Sequence, residues 1–281
     1  VWSAHNLVPH EIDRLGLTET FLSAFVRQVD LILATSQTVV DLLRAEHPAL
    51  RAADHRIVPL VHHRGFYPDD GVTQIEARAK LGLPPDARIV LSFGLVRGYK
   101  NLPELLRCRR QLAGHDPDRL LLIAGRPTDA SLAELVRREA RAVPGVRLEL
   151  RYIPEPEIQY FVRASDSLLV SSALSVNSGA AMLALSYDRP VVVPRRGTFL
   201  EMHEELGGQW VRTYEGGLRS SVLREAFDVQ VPEGRPPLDP QHDPGEVARR
   251  TLSAFRHVVG TRRRFVPSRS DSRSRLSWEL S

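Results

Sequence analysis

The stretch Ile89-Val90-Leu91-Ser92-Phe93-Gly94-Leu95-Val96-Arg97-Gly98-Tyr99-Lys100-Asn101-Leu102-Pro103-Glu104 decides how the chain is read. Its apolar run, closed by a glycine, predicts a buried strand over 89–93, and the pattern that follows predicts a helix over 102–113. Two glycines in the connecting turn let backbone approach a ligand closely. Arg97 and Lys100 set two cations beyond the C-terminal end of the strand, where doubly wound sheets bind ligands. A diphosphate suits that arrangement. Asn101 and Glu104 have the spacing of a capping box, with Pro103 tolerated in the first turn, so the helix is expected to start directly behind the cations. The spacing is neither G-x-x-x-x-G-K-[ST] nor G-x-G-x-x-G, which argues against an ATPase or a dinucleotide enzyme. Taken alone, the loop reads equally well as a connection with solvated charges.

Outward from this unit, apolar runs bounded by turn residues alternate with helical patterns, the signature of βαβ units and parallel sheet. Strands are predicted near 1–4, 31–34, 56–61, 89–93, 120–124, 146–153, 167–170 and 190–194. Helices are predicted over 18–28, 37–46, 102–113, 130–142, 155–163, 178–186 and 245–259. Residues 64–87 hold Tyr67-Pro68-Asp69-Asp70-Gly71 and Pro84-Pro85-Asp86 and read as a hinge with a short helix inside. The fold class is therefore α/β with two Rossmann-like domains. Residues 1–70 form part of an N-terminal domain, 75–260 a C-terminal ligand-binding domain, and 261–281 a disordered basic tail. Because three strands leave an open edge and the chain starts at Val1, the first domain is expected to be truncated.

The chain has 281 residues, 42% hydrophobic and 26% charged, an ordinary globular composition long enough for two domains. No apolar run approaches the ~18 residues of a spanning helix, and no basic, apolar and small-residue leader is read at the start. The lone Cys108 excludes an internal disulfide and a cysteine-rich metal site, which makes a cytoplasmic reading the simplest. The net charge of +4 invites a nucleic-acid partner. Six arginines against Asp271 and Glu279 in the tail account for all of it, so no basic field remains on the body and no nucleic acid is expected. Lys80 and Lys100 are the only lysines.

A second candidate is Ser175-Val176-Asn177-Ser178-Gly179-Ala180-Ala181-Met182, followed by Arg189-Pro190 and a strand. Asn177 or Ser178 suits an N-cap, and Gly179 and Ala180 leave the first-turn amides open to a phosphate. Small residues at this point also permit plain helix–sheet packing. Two phosphate-compatible loops at one end of one sheet favour the ligand reading. A third candidate, His5-Asn6-Leu7-Val8-Pro9-His10-Glu11, offers imidazoles, an amide and a carboxylate for sugar hydroxyls or proton exchange. The pair His62-His63 reads as structural. Neither an H-E-x-x-H helix nor a G-x-S-x-G elbow is present. Asp116-Pro117-Asp118 has a metal-binding D-x-D form but precedes its strand, so it reads as a turn.

With these residues in view, the chain resembles glycosyltransferase family 4, the retaining sugar-nucleotide enzymes of the GT-B fold, over about residues 1–230. Gly94, Arg97 and Lys100-Asn101-Leu102 match the glycine, arginine and lysine that clasp the donor diphosphate. Leu122-Ile123-Ala124-Gly125-Arg126-Pro127 is similar to the next strand and loop, and Asn177-Ser178-Gly179 through Arg189-Pro190-Val191-Val192 to the donor-binding helix of one bacterial branch. The opening His-Asn-Leu-x-Pro-His-Glu resembles that branch's acceptor-side loop. The commoner family pattern has two glutamates eight residues apart; the register here offers Ser175 and Leu183. The family's C-terminal helix crosses back to the first domain, where only a short segment around Trp278-Glu279 is read here, so the chain is expected to be incomplete at both ends.

The resemblance implies a hexosyltransferase with a UDP- or GDP-linked sugar as substrate, no cofactor and no metal. Its acceptor is a saccharide or lipid-linked molecule, which allows peripheral association with the inner face of a membrane. Gly94, Arg97, Lys100, Asn177, Ser178 and Gly179 would bind the diphosphate. His5, Asn6, His10 and Glu11 would face acceptor or sugar, and His5, Arg97 and Lys100 would serve catalysis. With no metal, the two cations and a helix N-terminus must stabilise the leaving group. The alternatives are a fragment that only binds nucleotide sugar and an epimerase or hydrolase on the same fold.

Overall fold

The computed structural model describes residues 1–4, 19–112 and 118–264, and all their side chains except those of Glu19 and residues 261–264. Within them lie two parallel sheets. The first joins β1 (Trp2–Ala4), β2 (Leu31–Ala34) and β3 (Asp54–Ile57) in that order. Because strand side chains alternate, Ile32 and Ala34 pack under α1 (Glu19–Val26) and α2 (Gln37–Glu46), while Leu31 and Leu33 meet Ala254 and Val258 of α10 (Pro244–Arg264) on the other face. The ladder stops earlier than the expected 56–61. The Val58 amide still donates to Ala34 O at 2.8 Å, but Pro59 has no N–H to continue it. Helix α10 differs from expectation twice. It lies on the first sheet although the reading grouped it with 75–260, and it continues through 261–264, which were expected to open the tail. It supplies the crossing back to the first unit; Trp278-Glu279 lies outside the described residues.

The second sheet uses β4 (Arg88–Phe93), β5 (Arg119–Ala124), β6 (Val146–Glu149), β7 (Ser167–Leu169), β8 (Val191–Pro194) and β9 (Val211–Tyr214), all parallel, in the order β6-β5-β4-β7-β8-β9. The chain runs outward from β4 in one direction and then restarts at β7 in the other. That reversal is the doubly wound pattern, and it opens a crevice between β4 and β7. Strand β6 ends short of the expected 153 because its partner β5 ends at Ala124, opposite Glu149.

Ile89 and Leu91 face α6 (Glu155–Ala164), α7 (Gly179–Ser186) and α8 (Thr198–Leu206), whereas Val90 faces α4 (Leu102–Leu112), α5 (Ala130–Arg141) and α9 (Ser220–Asp228). Apolar residues on both faces explain why these strands read as continuous hydrophobic runs. Helix α7 is buried from Ala181 through Ser186, so it is apolar on all sides.

The expected hinge is fastened along its length. The His63 amide donates to Ser186 Oγ at 2.9 Å, Tyr187 OH donates to Pro68 O at 2.9 Å, and Tyr67 and Val72 pack on the core. Its short helix is α3 (Gln74–Leu81), started by a capping box in which Thr73 and Glu76 exchange hydrogen bonds.

Candidate functional site

A cavity of about 350 Å³ lies beyond the C-terminal ends of β4 and β7, at the point where the strand order reverses. Gly94, Arg97 and Lys100 line it from one side, Asn177, Ser178 and Gly179 from the other. The two candidate loops, nearly eighty residues apart in sequence, thus form one site. Leu95, Tyr99, Ser171, Ser172 and Ser175 are also part of its wall. Of these, Ser171 and Ser172 were not singled out in the sequence; their signal was their place directly after a strand end.

The β4 loop is folded tightly under the cations. Gly94 has φ +94° and donates its amide to Ala124 O at 3.0 Å. Gly125, at φ +142°, is pressed so closely on this turn that a Cβ there would stand 2.1 Å from Gly94 O. Only glycine fits that approach. Lys100 ends a short 3-10 turn, Gly98–Lys100, and its Nζ donates to Phe93 O at 2.6 Å. Ser171 Oγ donates to the Lys100 carbonyl, tying the turn to the neighbouring strand β7.

The expected capping box at Asn101 does not form. Asn101 takes a left-handed conformation, φ 52°, its amide donates to Gly98 O, and Glu104 accepts from Arg107 instead. Closing the 3-10 turn uses the amide that the box needs.

Electrostatically the cavity is one-sided. Burial and the neighbouring Arg97 push the Lys100 ammonium down to about 8. Among the described residues, Arg97 Nε is buried without an acceptor and no acidic side chain lines the cavity. Opposite the cations, α7 begins at Ser178, whose Oγ accepts from the Ala181 amide at 3.2 Å. Its first helical amides, those of Gly179 and Ala180, sit at the cavity wall with the positive end of the helix dipole. Two cations facing a helix N-terminus, with no acidic side chain beside them among the described residues, have the charge that suits an anion.

Ser175, in one glutamate register position, is buried in the cavity wall, and Leu183, in the other, is buried in the core. His5, Asn6, His10 and Glu11 lie outside the described residues, as do Asp116 and Pro117. Asp118 stands at the N-terminal end of β5, its carbonyl accepting from the Arg88 amide at 2.8 Å, at the opposite end of the sheet from the cavity.

His62 and His63 lie beyond β3, not at its end. Burial and His62 lower the His63 imidazole from its usual range, partly opposed by a contact with the Gly179 backbone. His62 Nε2 bonds Asp239 at 2.8 Å. Among the described residues His62, Asp239 and Asp243 are the only cluster with metal-ligand spacing. Asp243 accepts the Glu246 amide at the start of α10, and none of the three lines the cavity.

A cavity with two cations at the switch point of a doubly wound sheet, beside a second parallel sheet, defines an α/β protein of two parallel-sheet units. No protein-family model matches the chain. It is 32% identical over 245 residues to GDP-mannose:glycolipid 4-beta-D-mannosyltransferase of Xanthomonas campestris pv. campestris, covering 86% of this chain and 64% of that protein. It is 25% identical over 261 residues to D-inositol 3-phosphate glycosyltransferase 1 of Catenulispora acidiphila, covering 85% and 55%. The chain thus spans somewhat under two thirds of these curated relatives.

Among solved structures, Anabaena HepE in complex with UDP and glucose superposes with a TM-score of 0.64 at 15% identity, over 93% of this chain and 70% of that one. Sucrose-phosphate synthase from Thermosynechococcus elongatus gives 0.59 at 19%, over 95% and 68%. At such identities these two bear on the fold. The chain has the GT-B fold of these solved structures and is similar in sequence to glycosyltransferases.

Proposed function

We propose that this chain carries the donor site of a glycosyltransferase that moves a hexose from a nucleoside-diphosphate sugar to a saccharide or lipid-linked acceptor. The observation that carries the reading is the pairing of Arg97 and Lys100 with the start of α7 in a cavity lined by no carboxylate among the described residues. Cleavage of the sugar–phosphate bond builds negative charge on the leaving diphosphate. Preorganised cations and helix amides stabilise that charge as it develops. In this reading Gly94, Asn177, Ser178 and Gly179 cradle the diphosphate, no divalent metal takes part, and His5, Asn6, His10 and Glu11 serve the acceptor side. The mannosyltransferase among the relatives is named for GDP-mannose and a glycolipid, which favours a guanosine-linked donor and an acceptor at a membrane surface. Among the described residues no helix is long and apolar enough to cross a membrane. Calorimetry with GDP and UDP, with and without chelator, is the test. Binding unaffected by chelator is expected, and affinity that vanishes on chelation removes the metal-independent mechanism.

For stereochemistry, the same feature supports retention. With no carboxylate among the described residues that line the cavity to attack the anomeric carbon, the acceptor attacks from the face the diphosphate leaves, and the leaving phosphate takes its proton. Inversion is the second reading, because the mannosyltransferase is named for a 4-β-D linkage. From an α-linked donor that product needs opposite-face attack and a base, a part open to His5 or Glu11. The anomeric configuration of the product, read by NMR, separates the two.

A further inference from the structure

The β7–α7 loop, which supplies Ser175, Asn177 and Ser178 to the cavity, is also held by the other half of the molecule. Val176, between these lining residues, is 3% exposed and packs in the core of the first sheet with Ala4, Ile32, Ala34, Val39 and Val40. From behind, Gly197 (φ +60°) approaches so closely that a Cβ there would stand 2.4 Å from Val176 O, and the Thr198 amide donates to that oxygen at 2.8 Å. The same threonine, buried, meets Thr35 Oγ1 at 2.5 Å at the end of β2. One turn further along α8, Glu201 reaches across to the start of α2. Its carboxylate accepts from the Thr38 amide and hydroxyl, each at 2.8 Å, and from the Gln37 amide at 3.3 Å. A carboxylate at a helix N-terminus is a favourable charge–dipole contact with directed hydrogen bonds.

We propose that Glu201 is a positioning residue for the donor site, clasping α2 to α8 so that Val176 stays seated in the first sheet's core and the β7–α7 loop keeps its anion-binding shape. The proposal rests on the nucleotide-sugar reading of the cavity and adds a coupling to it. Docking of the two sheets and filling of the cavity stabilise one loop conformation, so each favours the other. Thermodynamic linkage then requires the effect to run both ways. Diphosphate in the cavity should tighten the contact between Glu201 and α2, which lies outside the cavity.

The test uses the full chain with Glu201→Ala, Glu201→Gln and, as control on an exposed position of the same helix, Glu204→Ala. Hydrogen exchange is followed without ligand and with GDP. In the free protein, Glu201→Ala should speed exchange across 173–180, and Glu201→Gln, which keeps one acceptor oxygen, should restore part of the protection. GDP should slow the Gln37 and Thr38 amides in the parent chain but not in Glu201→Ala, whose GDP affinity should fall about tenfold, a typical coupling between sites. Glu204→Ala should match the parent throughout. If Glu201→Ala unfolds, the comparison of Glu201→Gln with the parent carries the test. Unchanged exchange at 173–180 in the glutamate variants, or GDP affinity equal to the parent's in a variant whose α2 amides have lost protection, overturns the clasp. Failure of the parent chain to bind GDP or UDP removes the nucleotide reading, while the exchange of 173–180 in the free variants still decides the clasp.

Discussion

Replacing Lys100 by methionine keeps the aliphatic stem and removes the charge, and the structure sets what should follow. An ammonium has three donors, of which the described residues engage one, at Phe93 O. The others are left for a ligand in the cavity that Lys100 lines. Losing one charge-assisted hydrogen bond to a diphosphate costs about 1.5–3 kcal/mol, or about 10- to 150-fold in Kd for GDP. The fold should survive, because the substitution also removes a cation that burial and Arg97 disfavour.

The pH dependence adds a second signature. The Lys100 group lies at about 8 in the folded protein against 10.5 for an ordinary lysine. Between these values the unfolded chain holds more protons, so the free protein gains stability from this group as pH rises through that window. Diphosphate binding needs the protonated form, so affinity should fall as pH rises past about 8. Stability and affinity thus move in opposite directions in the parent chain, and neither trend should persist in Lys100→Met. Calorimetric titration with GDP from about pH 7 to 9, with Lys80→Ala as control, measures this; Lys80 is exposed and stands over the Tyr160 ring at 5.9 Å. Equal losses for both lysine variants, or a pH slope that survives in Lys100→Met, would refute the assignment.

Gly125→Ala should drive a Cβ into Gly94 O, distort the β4 turn and weaken GDP binding together with thermal stability, which calorimetry and a melting curve read side by side. Asp166 is buried, accepts the Ile89 amide at 2.6 Å and pairs with Arg78 at 3.0 Å. Asp166→Asn should leave the buried guanidinium without its counter-ion and lower unfolding stability by about 3–5 kcal/mol in denaturant titration.

Much of the second sheet was legible because its strands are buried on both faces, so Ile89–Phe93 and Leu120–Ala124 read as unbroken apolar runs with turn residues at each end. Helix α2 was read to the residue, since Ser36 is a strong N-cap and Val39, Val40 and Leu43 fall on one face. Residues 195–228 carry no predicted element although they hold α8, β9 and α9. The apolar spacing was present in Phe199, Met202 and Leu206 and in Val222, Leu223, Ala226 and Phe227, but the start signals were not. Gly197 and Arg219 precede these helices without a side-chain cap, and β9 is four residues long and half polar.

The site divides along the same physical line. Arg97 and Lys100 could be read because one turn places both beyond one strand, and that chemistry is local. Their union with Asn177, Ser178 and Gly179 depends on β4 lying beside β7, a fact of strand order that neither segment encodes by itself. Glu201 is the extreme case. An acidic residue in the first turn of an exposed-looking helix reads as ordinary dipole matching, and nothing near it in sequence announces a second helix N-terminus more than 160 positions away. Sequence shows most clearly the groups that touch the ligand, because their residue types are demanded by its charge. The groups that hold those in place are demanded by the fold, and any oxygen acceptor of the right reach could fill the position of Glu201. That is why Glu201→Gln should restore part of what Glu201→Ala removes, whereas no uncharged residue should replace Lys100.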